Sequence, residues 1–165
     1  MTERLVGLPA VVARSTRLLV LGSFPGAASL QAQQYYAHPR NQFWPILAAL
    51  WGVDLPGLPY RQRLAELRRR GLGLWDVYAS CRREGSLDSA IEAAELNDLA
   101  SLRRRVPGLR AIAHNGGESA RSIAVSAALG VPVHRLPSTS PANASWSFER
   151  KRAAWQVVFE SAGLL

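Results

Sequence analysis

Cysteine and lysine are almost absent from this chain of 165 residues, which contains Cys81 and Lys151 and no others of either type. A single cysteine excludes an internal disulfide and a zinc site built from several cysteines. No apolar run approaches the roughly 20 residues that a membrane span requires. The N-terminal stretch MTERLVGLPAVVARS lacks the long apolar region of a signal peptide. We therefore expect a soluble protein of the cytoplasm.

Several common catalytic motifs are missing as well. His38, His114 and His134 are far apart in sequence and lack the helical spacing of metal ligands. The segment GSFPG is followed by no lysine, so it is not a phosphate-binding loop, and it does not fit the dinucleotide pattern G-x-G-x-x-G. There is no G-x-S-x-G nucleophile motif. We expect no metal and no cofactor, which leaves the chemistry of amides, hydroxyls and aromatic rings.

Positive charge is abundant, and almost all of it comes from arginine. The chain has 20 basic and 12 acidic residues, a net charge of +8 and a pI near 10.9. Such a charge suits a polyanionic partner. However, the clusters Arg68–Arg70 and Arg103–Arg105 fall late in predicted helices, where cations favour the negative end of the helix dipole. Phosphate contacts and solvated helix ends are both open explanations for these clusters.

Length and pattern predict one α/β domain spanning residues 1–165. Short apolar runs bounded by Gly, Pro or Ser are typical of buried strands. These runs are residues 17–23, 73–77, 109–115 and 131–138. Apolar residues at helical spacing lie between and after them. They are Phe43, Ile46, Leu47, Leu50 and Trp51, then Leu96, Leu99, Leu102 and Val106, then a weaker pattern over residues 117–129, and finally Trp155, Val158 and Phe159. This alternation predicts a mostly parallel four-stranded sheet with helices on both sides.

A polar or glycine-rich segment follows each predicted strand. The segments are GSFPG, DVYASCRREGS, HNGG and PSTSPANAS. Ligands bind open parallel sheets at the carboxyl edge of the strands, so these four segments should converge on one crevice. Strand-to-helix loops are polar in any case, but this combination of amides, hydroxyls and aromatics is richer than turns require.

The same segments resemble the uracil-DNA glycosylase superfamily, and in particular its hypoxanthine-DNA (deoxyinosine) glycosylase branch. The resemblance is carried by GSFPG, SLQAQQYYAHPRNQFW, LWDVYASCRREGSLDSAI, HNGG and LPSTSPANAS, and it extends from about Leu18 to Trp155. YYAHPRNQFW is its most specific element, because the pattern HPxNxFW also occurs in mismatch-specific uracil glycosylases. The resemblance implies a three-layer α/β/α sandwich without a metal. It also implies hydrolysis of the N-glycosidic bond of a damaged base that is rotated out of the DNA.

The resemblance also implies a catalytic residue. Relatives place an aspartate or asparagine third in the first motif, where it orients water, but this chain has Phe24 there. In the hypoxanthine branch the role passes to the asparagine of HPRN, which is Asn41 here. Asn41 also precedes a predicted helix, and asparagine is among the best helix N-caps, so a purely capping role is the alternative.

The base pocket is expected to involve several other residues. The backbone N–H groups of Gly22, Ser23 and Phe24 could stabilise negative charge on the departing base. Tyr36 occupies the position of a stacking aromatic in mismatch-specific relatives, and core packing is its alternative role.

The base edge is expected to be read by Asn115. Its carboxamide can satisfy the N1–H and O6 of hypoxanthine, but the N3–H and O4 of uracil equally well. Purine selection would then depend on pocket size, and rejection of adenine on a fixed amide orientation. A plain Asn-Gly turn is the alternative for Asn115. Ser80 and His38 are placed near this edge by the motif, although His38 could instead bond within its own loop.

Contacts to DNA are expected from the last segment, which corresponds to a loop that touches phosphates and wedges into the duplex in the superfamily. Ser138, Thr139, Ser140 and Asn143 can donate to phosphate oxygens, with Arg40 and Arg150 nearby. The same residues would also form an ordinary turn. No bulky wedge is evident, since Ala142 and Ala144 are small.

The scarcity of lysine bears on the reaction type. Cutting the strand as well as the base usually requires an amine that forms a Schiff base with the sugar, and Lys151 is predicted on the last helix, away from the crevice. We therefore predict a monofunctional, monomeric glycosylase of double-stranded or single-stranded DNA. Its most favoured base is hypoxanthine, with uracil and xanthine as alternatives. A catalytically silent nucleic-acid-binding module and a nucleoside or small-molecule hydrolase remain open.

Overall fold

The computed structural model describes residues 2–165, and its centre is a parallel sheet. The sheet has four strands in the order β3-β2-β6-β7. Their bounds are β2 Leu18–Gly22, β3 Leu72–Asp76, β6 Ala111–Asn115 and β7 Val133–Leu136. Each lies inside or within one residue of an apolar run that predicted it. β2, β3 and β6 are buried at every position, as expected for parallel strands covered on both faces.

Helices cover both faces of this sheet, which gives the predicted three-layer α/β/α arrangement. On one face, Val20 and Leu74 of the strands pack with Phe43, Trp155 and other apolar side chains of the flanking helices. On the other face the core is built from alternate strand residues and the segments around residues 99–106 and 129. Successive strand residues point to opposite faces, so one apolar run supplies both cores.

The helices agree with the sequence prediction in most places. Helix α2 is Phe43–Trp51, and the last helix, α7, is Phe148–Ser161. The weak pattern over residues 117–129 forms two short helices, α5 and α6. The remaining bounds are α1 Ala27–Ala32, α3 Tyr60–Arg70, α4 Leu102–Arg105, α5 Gly117–Ala120 and α6 Ile123–Ala127.

A second sheet was not predicted from the sequence. It is antiparallel, with three strands in the order β1-β4-β5. The bounds are β1 Arg4–Val6, β4 Tyr78–Arg82 and β5 Glu92–Leu96. The segment DVYASCRREGS, expected to be a loop, therefore contains a strand. The prediction that a helix includes Leu96 is also wrong. Leu96 ends β5, and helical structure begins only at the 3₁₀ turn Leu99–Ser101.

The chain passes from one sheet to the other within a single residue. Val77 separates β3 from β4, and its N–H donates to the Gly22 carbonyl at 2.8 Å. The Tyr78 N–H donates to the Ser23 carbonyl at 3.0 Å. These bonds hold the start of the second sheet against the first strand-to-helix loop. Within residues 2–165, no helix is long and apolar enough to cross a membrane.

Candidate active site

A cavity of about 440 Å³ opens at the carboxyl edge of the parallel sheet. Its wall combines the loop after β2, the HPRN segment, the end of β3, the loop between β4 and β5, the end of β6 and the loop after β7. By residue these are 22–29, 35–36, 38, 41, 76, 86–89, 115 and 138–143. The convergence expected from the polar segments is therefore present in the structure.

Eleven of the residues proposed from the sequence line this cavity. They are Gly22, Ser23, Phe24, Tyr36, His38, Asn41, Asn115, Ser138, Thr139, Ser140 and Asn143. Ser80 does not line the cavity, because it lies on β4 in the second sheet and its hydroxyl accepts a hydrogen bond from Arg4 Nη1 at 2.8 Å. Arg40 is exposed outside the cavity wall, next to Asn41.

Asn41 joins the cavity to the start of α2. Its Oδ1 accepts a hydrogen bond from the N–H of Phe43, the first residue of the helix, at 2.9 Å. The capping alternative thus describes part of what Asn41 does. An amide oxygen has two lone pairs, so Oδ1 can still accept from a water molecule. Capping the helix and orienting water are therefore compatible for this side chain, which lines the cavity.

Asn115 is held in one orientation by Thr139. Its Oδ1 accepts from the Thr139 N–H and its Nδ2 donates to Thr139 Oγ1, both at 3.0 Å. A backbone N–H can only donate, so the oxygen end of the carboxamide must face it. Beyond these two bonds the Asn115 carboxamide has one lone pair and one N–H, and its side chain also lies beside the Tyr36 hydroxyl in the cavity wall. Thr139 itself is 1% exposed, which places it behind Asn115 rather than on a surface that faces phosphates.

Tyr36 adopts a left-handed backbone conformation with φ of 54°, which is unusual for a bulky residue. Its ring stacks on Phe43, with ring centroids 4.2 Å apart and planes 25° apart. Since one face is covered, only the opposite face could contact a base. The hydroxyl is buried without a hydrogen-bond partner among the described residues. Burial, and next the nearby Asp76, raise the pKa of Tyr36, so the phenol stays protonated.

The loop after β2, called the first loop here, combines a closely packed glycine with backbone N–H groups that have no acceptor among the described residues. A Cβ atom at Gly22 would lie 2.5 Å from Asp76 Oδ1, so only glycine fits beside this carboxyl group. No acceptor among the described residues takes a hydrogen bond from the N–H of Ser23 or Phe24. Phe24 is buried, with the Arg83 guanidinium 5.3 Å from the centroid of its ring. These N–H groups are available to an electron-rich ligand.

His38 bonds within its own loop, as the alternative for it supposed. Its Nδ1 accepts from the Arg40 N–H at 3.0 Å, and its carbonyl accepts from the Asn41 N–H at 2.9 Å. Because Nδ1 is an acceptor here, a neutral ring carries its proton on Nε2. His38 therefore fixes the backbone that presents Asn41.

Asp76 is a cavity residue that sequence reasoning missed. It ends β3, is 4% exposed, and its Oδ2 has no hydrogen-bond partner among the described residues. Burial, with a smaller contribution from the charge of Asp88, raises the pKa of Asp76 to about 7. A signal was present, since Asp76 is the one acidic residue directly at the end of a predicted buried strand. At neutral pH a large fraction of this carboxyl group is protonated and can donate a hydrogen bond.

The loop after β7 is folded by its own side chains. Ser138 Oγ accepts from the Ser140 N–H, Ser140 Oγ accepts from the Ala142 N–H, and Asn143 Nδ2 donates to the Ser138 carbonyl. The turn proposed as the alternative role of these residues is therefore real. Ser140 and Asn143 are half-buried and line the cavity, so their remaining lone pairs and N–H groups can still reach a ligand.

Lys151 lies outside the cavity wall, on the first turns of α7, and is 2% exposed. Burial lowers the pKa of its amine.

Among the described residues, no group of three or more His, Cys, Asp or Glu side chains could hold a metal ion.

Comparison with known proteins identifies the family of the chain. The family model of the uracil DNA glycosylase superfamily matches residues 9–159. A hypoxanthine DNA glycosylase of Methanosarcina barkeri is 36% identical over 93% of this chain and 97% of its own length. A hypoxanthine DNA glycosylase of Methanosarcina acetivorans is 39% identical over 93% and 96%.

A solved structure agrees with these sequence relatives. The solution NMR structure of a Methanosarcina acetivorans protein, provisionally described as a uracil DNA glycosylase, superimposes with a TM-score of 0.88 at 36% identity. The match covers 98% of this chain and 99% of that one. Because the superfamily model matches residues 9–159 and both relatives align over 93% of this chain, the chain belongs to the uracil DNA glycosylase superfamily.

Proposed function

We propose that this protein is a monofunctional DNA glycosylase that excises deaminated bases, hypoxanthine first among them. The observation that carries the proposal is the meeting of Asn41, Asp76 and Asn115 in one cavity, with one amide beside the helix start and the other fixed by Thr139. The names of the two curated relatives support hypoxanthine as the base.

Asn41 orients the attacking water. An amide is a poor base, so its contribution is to hold water by a hydrogen bond to Oδ1 while the bond between C1′ and the base breaks. The sugar then has oxocarbenium character, and water adds to C1′ as its proton passes to solvent. The bonding electrons leave with the base, so stabilisation of the departing base supplies much of the rate.

The departing base is stabilised by the loop after β2 and by Asp76. The N–H groups of Ser23 and Phe24, which lack an acceptor among the described residues and belong to the cavity wall, can donate to the negative charge that develops on the base. A protonated Asp76 adds a hydrogen-bond donor and avoids the repulsion that a carboxylate would exert on the same charge. Gly22 lets the base approach this group closely.

Base selection rests on Asn115. Its remaining N–H donates to O6 of hypoxanthine, and its remaining lone pair accepts from N1–H. Adenine presents the reversed pattern, and Thr139 prevents the amide from turning over to match it. Uracil offers the same donor and acceptor as hypoxanthine, so we expect some uracil excision, limited by how well the smaller base fills the cavity.

The protein acts on DNA, and we propose that it does so as a cytoplasmic monomer that leaves an abasic site. Lys151 is buried away from the cavity, so no lysine amine is available for a Schiff base with the sugar. Borohydride reduction during turnover on hypoxanthine-containing DNA should therefore trap no covalent complex. A strong adduct would show that strand cleavage accompanies base removal.

The function is tested with duplexes that carry a single hypoxanthine, uracil, xanthine or adenine, followed by alkaline cleavage of abasic sites. We expect cleavage at hypoxanthine and none at adenine. Phe24, in the position where relatives have a catalytic Asp or Asn, favours a silent binding module as the second candidate. Tight binding of all four duplexes without cleavage would establish that candidate. Equal hydrolysis of free deoxyinosine would instead indicate a nucleoside hydrolase.

A further inference from the structure

Leu87 is an exposed apolar side chain in the cavity wall. It is 58% exposed and belongs to the lining segment 86–89. The large apolar side chains exposed among the described residues are Val6, Leu87, Leu96, Ile123, Val125, Val157 and Leu165. Leu87 alone of these seven lines the cavity. A single exposed leucine is ordinary on a protein surface, but this one lies in the wall of the candidate site.

The segment that carries Leu87 is fixed on both sides. Before it, Arg83 donates from Nη2 to the Pro25 carbonyl and from Nε to the Gly85 carbonyl, both at 2.8 Å, and this arginine is 4% exposed. After it, Asp88 Oδ1 accepts from Ser23 Oγ at 2.6 Å. These bonds join the segment to the first loop of the site.

Two further contacts complete the anchoring. Ser86 Oγ accepts from the Ala27 N–H at 2.9 Å, and the 3₁₀ turn Asp88–Ala90 begins directly after Leu87, whose carbonyl accepts from the Ala90 N–H. Leu87 is therefore largely exposed on a loop that hydrogen bonds hold in place.

The loop after β7 offers no comparable side chain. Its exposed apolar residues are Pro141, Ala142 and Ala144, whose side chains are all smaller than that of leucine. Trp146 is half-buried outside the cavity wall, with the Arg150 guanidinium 4.0 Å from the centroid of its ring. The hydroxyl groups of Ser138 and Ser140 are bonded within the loop itself. The exposed apolar side chains that this loop brings to the cavity wall are therefore smaller than Leu87.

We propose that Leu87 is the wedge that enters the base stack beside the extruded nucleotide. This inference rests on the proposed glycosylase function. Rotating a nucleotide into the cavity leaves a gap between its former neighbours, and leucine is among the apolar side chains that proteins insert between base steps. Insertion also removes the Leu87 side chain from water. Leu87 touches no reacting atom, so it acts as a positioning residue.

The first test compares Leu87→Ala with Val157→Ala, an exposed position on α7 outside the cavity wall. Each variant is assayed on hypoxanthine in duplex and in single-stranded DNA under single-turnover conditions. We expect L87A to lose about tenfold or more on the duplex and less than about twofold on the single strand, where no stack must be opened. V157A should match the wild type on both.

Equal losses of L87A on both substrates would overturn the proposal, because they would assign Leu87 to the base pocket. Unchanged rates on the duplex would overturn it as well. If the wild type excised no base, the proposed glycosylase function would be wrong. The proposal for Leu87 would then be tested separately, by a measurement of side-chain insertion that requires no excision.

That readout is the fluorescence of 2-aminopurine placed next to a stable abasic analogue in a duplex. The wild type and V157A should change the 2-aminopurine signal on binding as a neighbouring stack is altered, whereas L87A bound to saturation should not. The same change with L87A would exclude insertion of this side chain, whatever the enzymatic result.

Discussion

Asn41 lies where the HPRN segment becomes helix α2. Its side-chain oxygen caps the helix in the absence of substrate. The hydrogen bond from the Phe43 N–H fixes the side chain at 2.9 Å from that nitrogen. A water-orienting group gains from such restraint, because a pre-positioned dipole needs no reorganisation during the reaction. The two roles can be separated by substitutions that keep one and remove the other.

Asn41→Ser should keep the helix cap and lose most of the excision activity. Serine caps helices about as well as asparagine, but its oxygen stands closer to the backbone and reaches less far into the cavity. We expect excision to fall by about 100-fold with little change in the free energy of unfolding. Asn41→Ala should lose the same activity and also about 1 kcal/mol of stability. Near-normal excision by N41S would reduce Asn41 to a cap.

Asp76 makes stability depend on pH in the direction opposite to that of most carboxylates. Its pKa is raised by burial to about 7, so the folded protein holds this proton more tightly than the unfolded chain does. Stability contributed by the neutral carboxyl group is therefore complete below about pH 4 and is lost as the pH rises toward 7. Above that pH the buried charge is a net penalty.

Asp76→Asn removes this titration and keeps a group that both donates and accepts. Relative to the wild type, we expect the variant to gain up to about 4 kcal/mol in free energy of unfolding at pH 8. The difference should shrink toward pH 4. Urea denaturation at several pH values measures it, and a gain that did not vary with pH would show that Asp76 is ionised throughout. The wild-type excision rate should also decline above pH 7, and that decline should be absent in D76N.

Element by element, the sequence was most informative where burial is complete. β2, β3 and β6 are buried at every position, and each was predicted from a short run of mainly apolar residues, as expected for strands covered on both faces. β5, in contrast, is exposed at all five residues, and β1 has three residues and pairs with β4 far along the chain. Pairing between distant, exposed strands leaves no local pattern to detect.

The same distinction applies to the site. Asn41, Tyr36 and Asn115 were predictable because a motif places them at a strand end or a helix start. Asp76 and Leu87 were missed because their properties come from tertiary packing. Burial raises the pKa of Asp76 to about 7, so its carboxyl group keeps a proton at pH values where an exposed aspartate would lose it. Leu87 borders the cavity only because the segment after β4 folds back onto the first loop.

β6 is joined to the helices behind it by a buried polar network around His114. Ser119 Oγ lies 2.7 Å from His114 Nδ1 and donates to the Leu21 carbonyl at 2.7 Å, and Ser126 Oγ donates to the Ile123 carbonyl at 3.1 Å. Ser126 Oγ lies 2.7 Å from His114 Nε2. Burial lowers the pKa of His114, consistent with a neutral ring. This network secures the element that ends in Asn115.

Ser119→Ala should loosen this element. It removes the hydroxyl that contacts the buried His114 Nδ1 and the Leu21 carbonyl, and the loss of a buried hydrogen-bond partner costs about 1–3 kcal/mol. The matched control is Ser122→Ala, since the Ser122 hydroxyl makes no hydrogen bond among the described residues. Urea denaturation should show the loss for S119A and stability near that of the wild type for S122A. Equal stability of both variants would mean that the network contributes nothing.

At the scale of the whole molecule, arginines lie at both edges of the parallel sheet, within a net charge of +8. Arg68–Arg70 end α3, directly before β3 begins, so they lie at the amino edge. Arg69 and Arg70 also pair with Glu66. Arg40 precedes Asn41, and Arg150 follows the loop after β7, so both lie at the carboxyl edge with the cavity. The cluster at the end of α3 therefore fits a solvated helix end, and the arginines near the cavity fit phosphate contacts.

This division predicts different salt dependences for two exposed arginines. Each phosphate contact releases counterions from DNA. Losing one such contact therefore makes the negative slope of log K against log salt concentration shallower by about 1. We expect this reduction for Arg40→Gln and no change for Arg68→Gln, although both variants remove one positive charge. Fluorescence anisotropy with a duplex that carries a stable abasic analogue, at several salt concentrations, measures the slopes. If the two variants changed the slope equally, net charge alone would govern binding. Arg40 would then make no specific contact with a phosphate at the edge of the cavity.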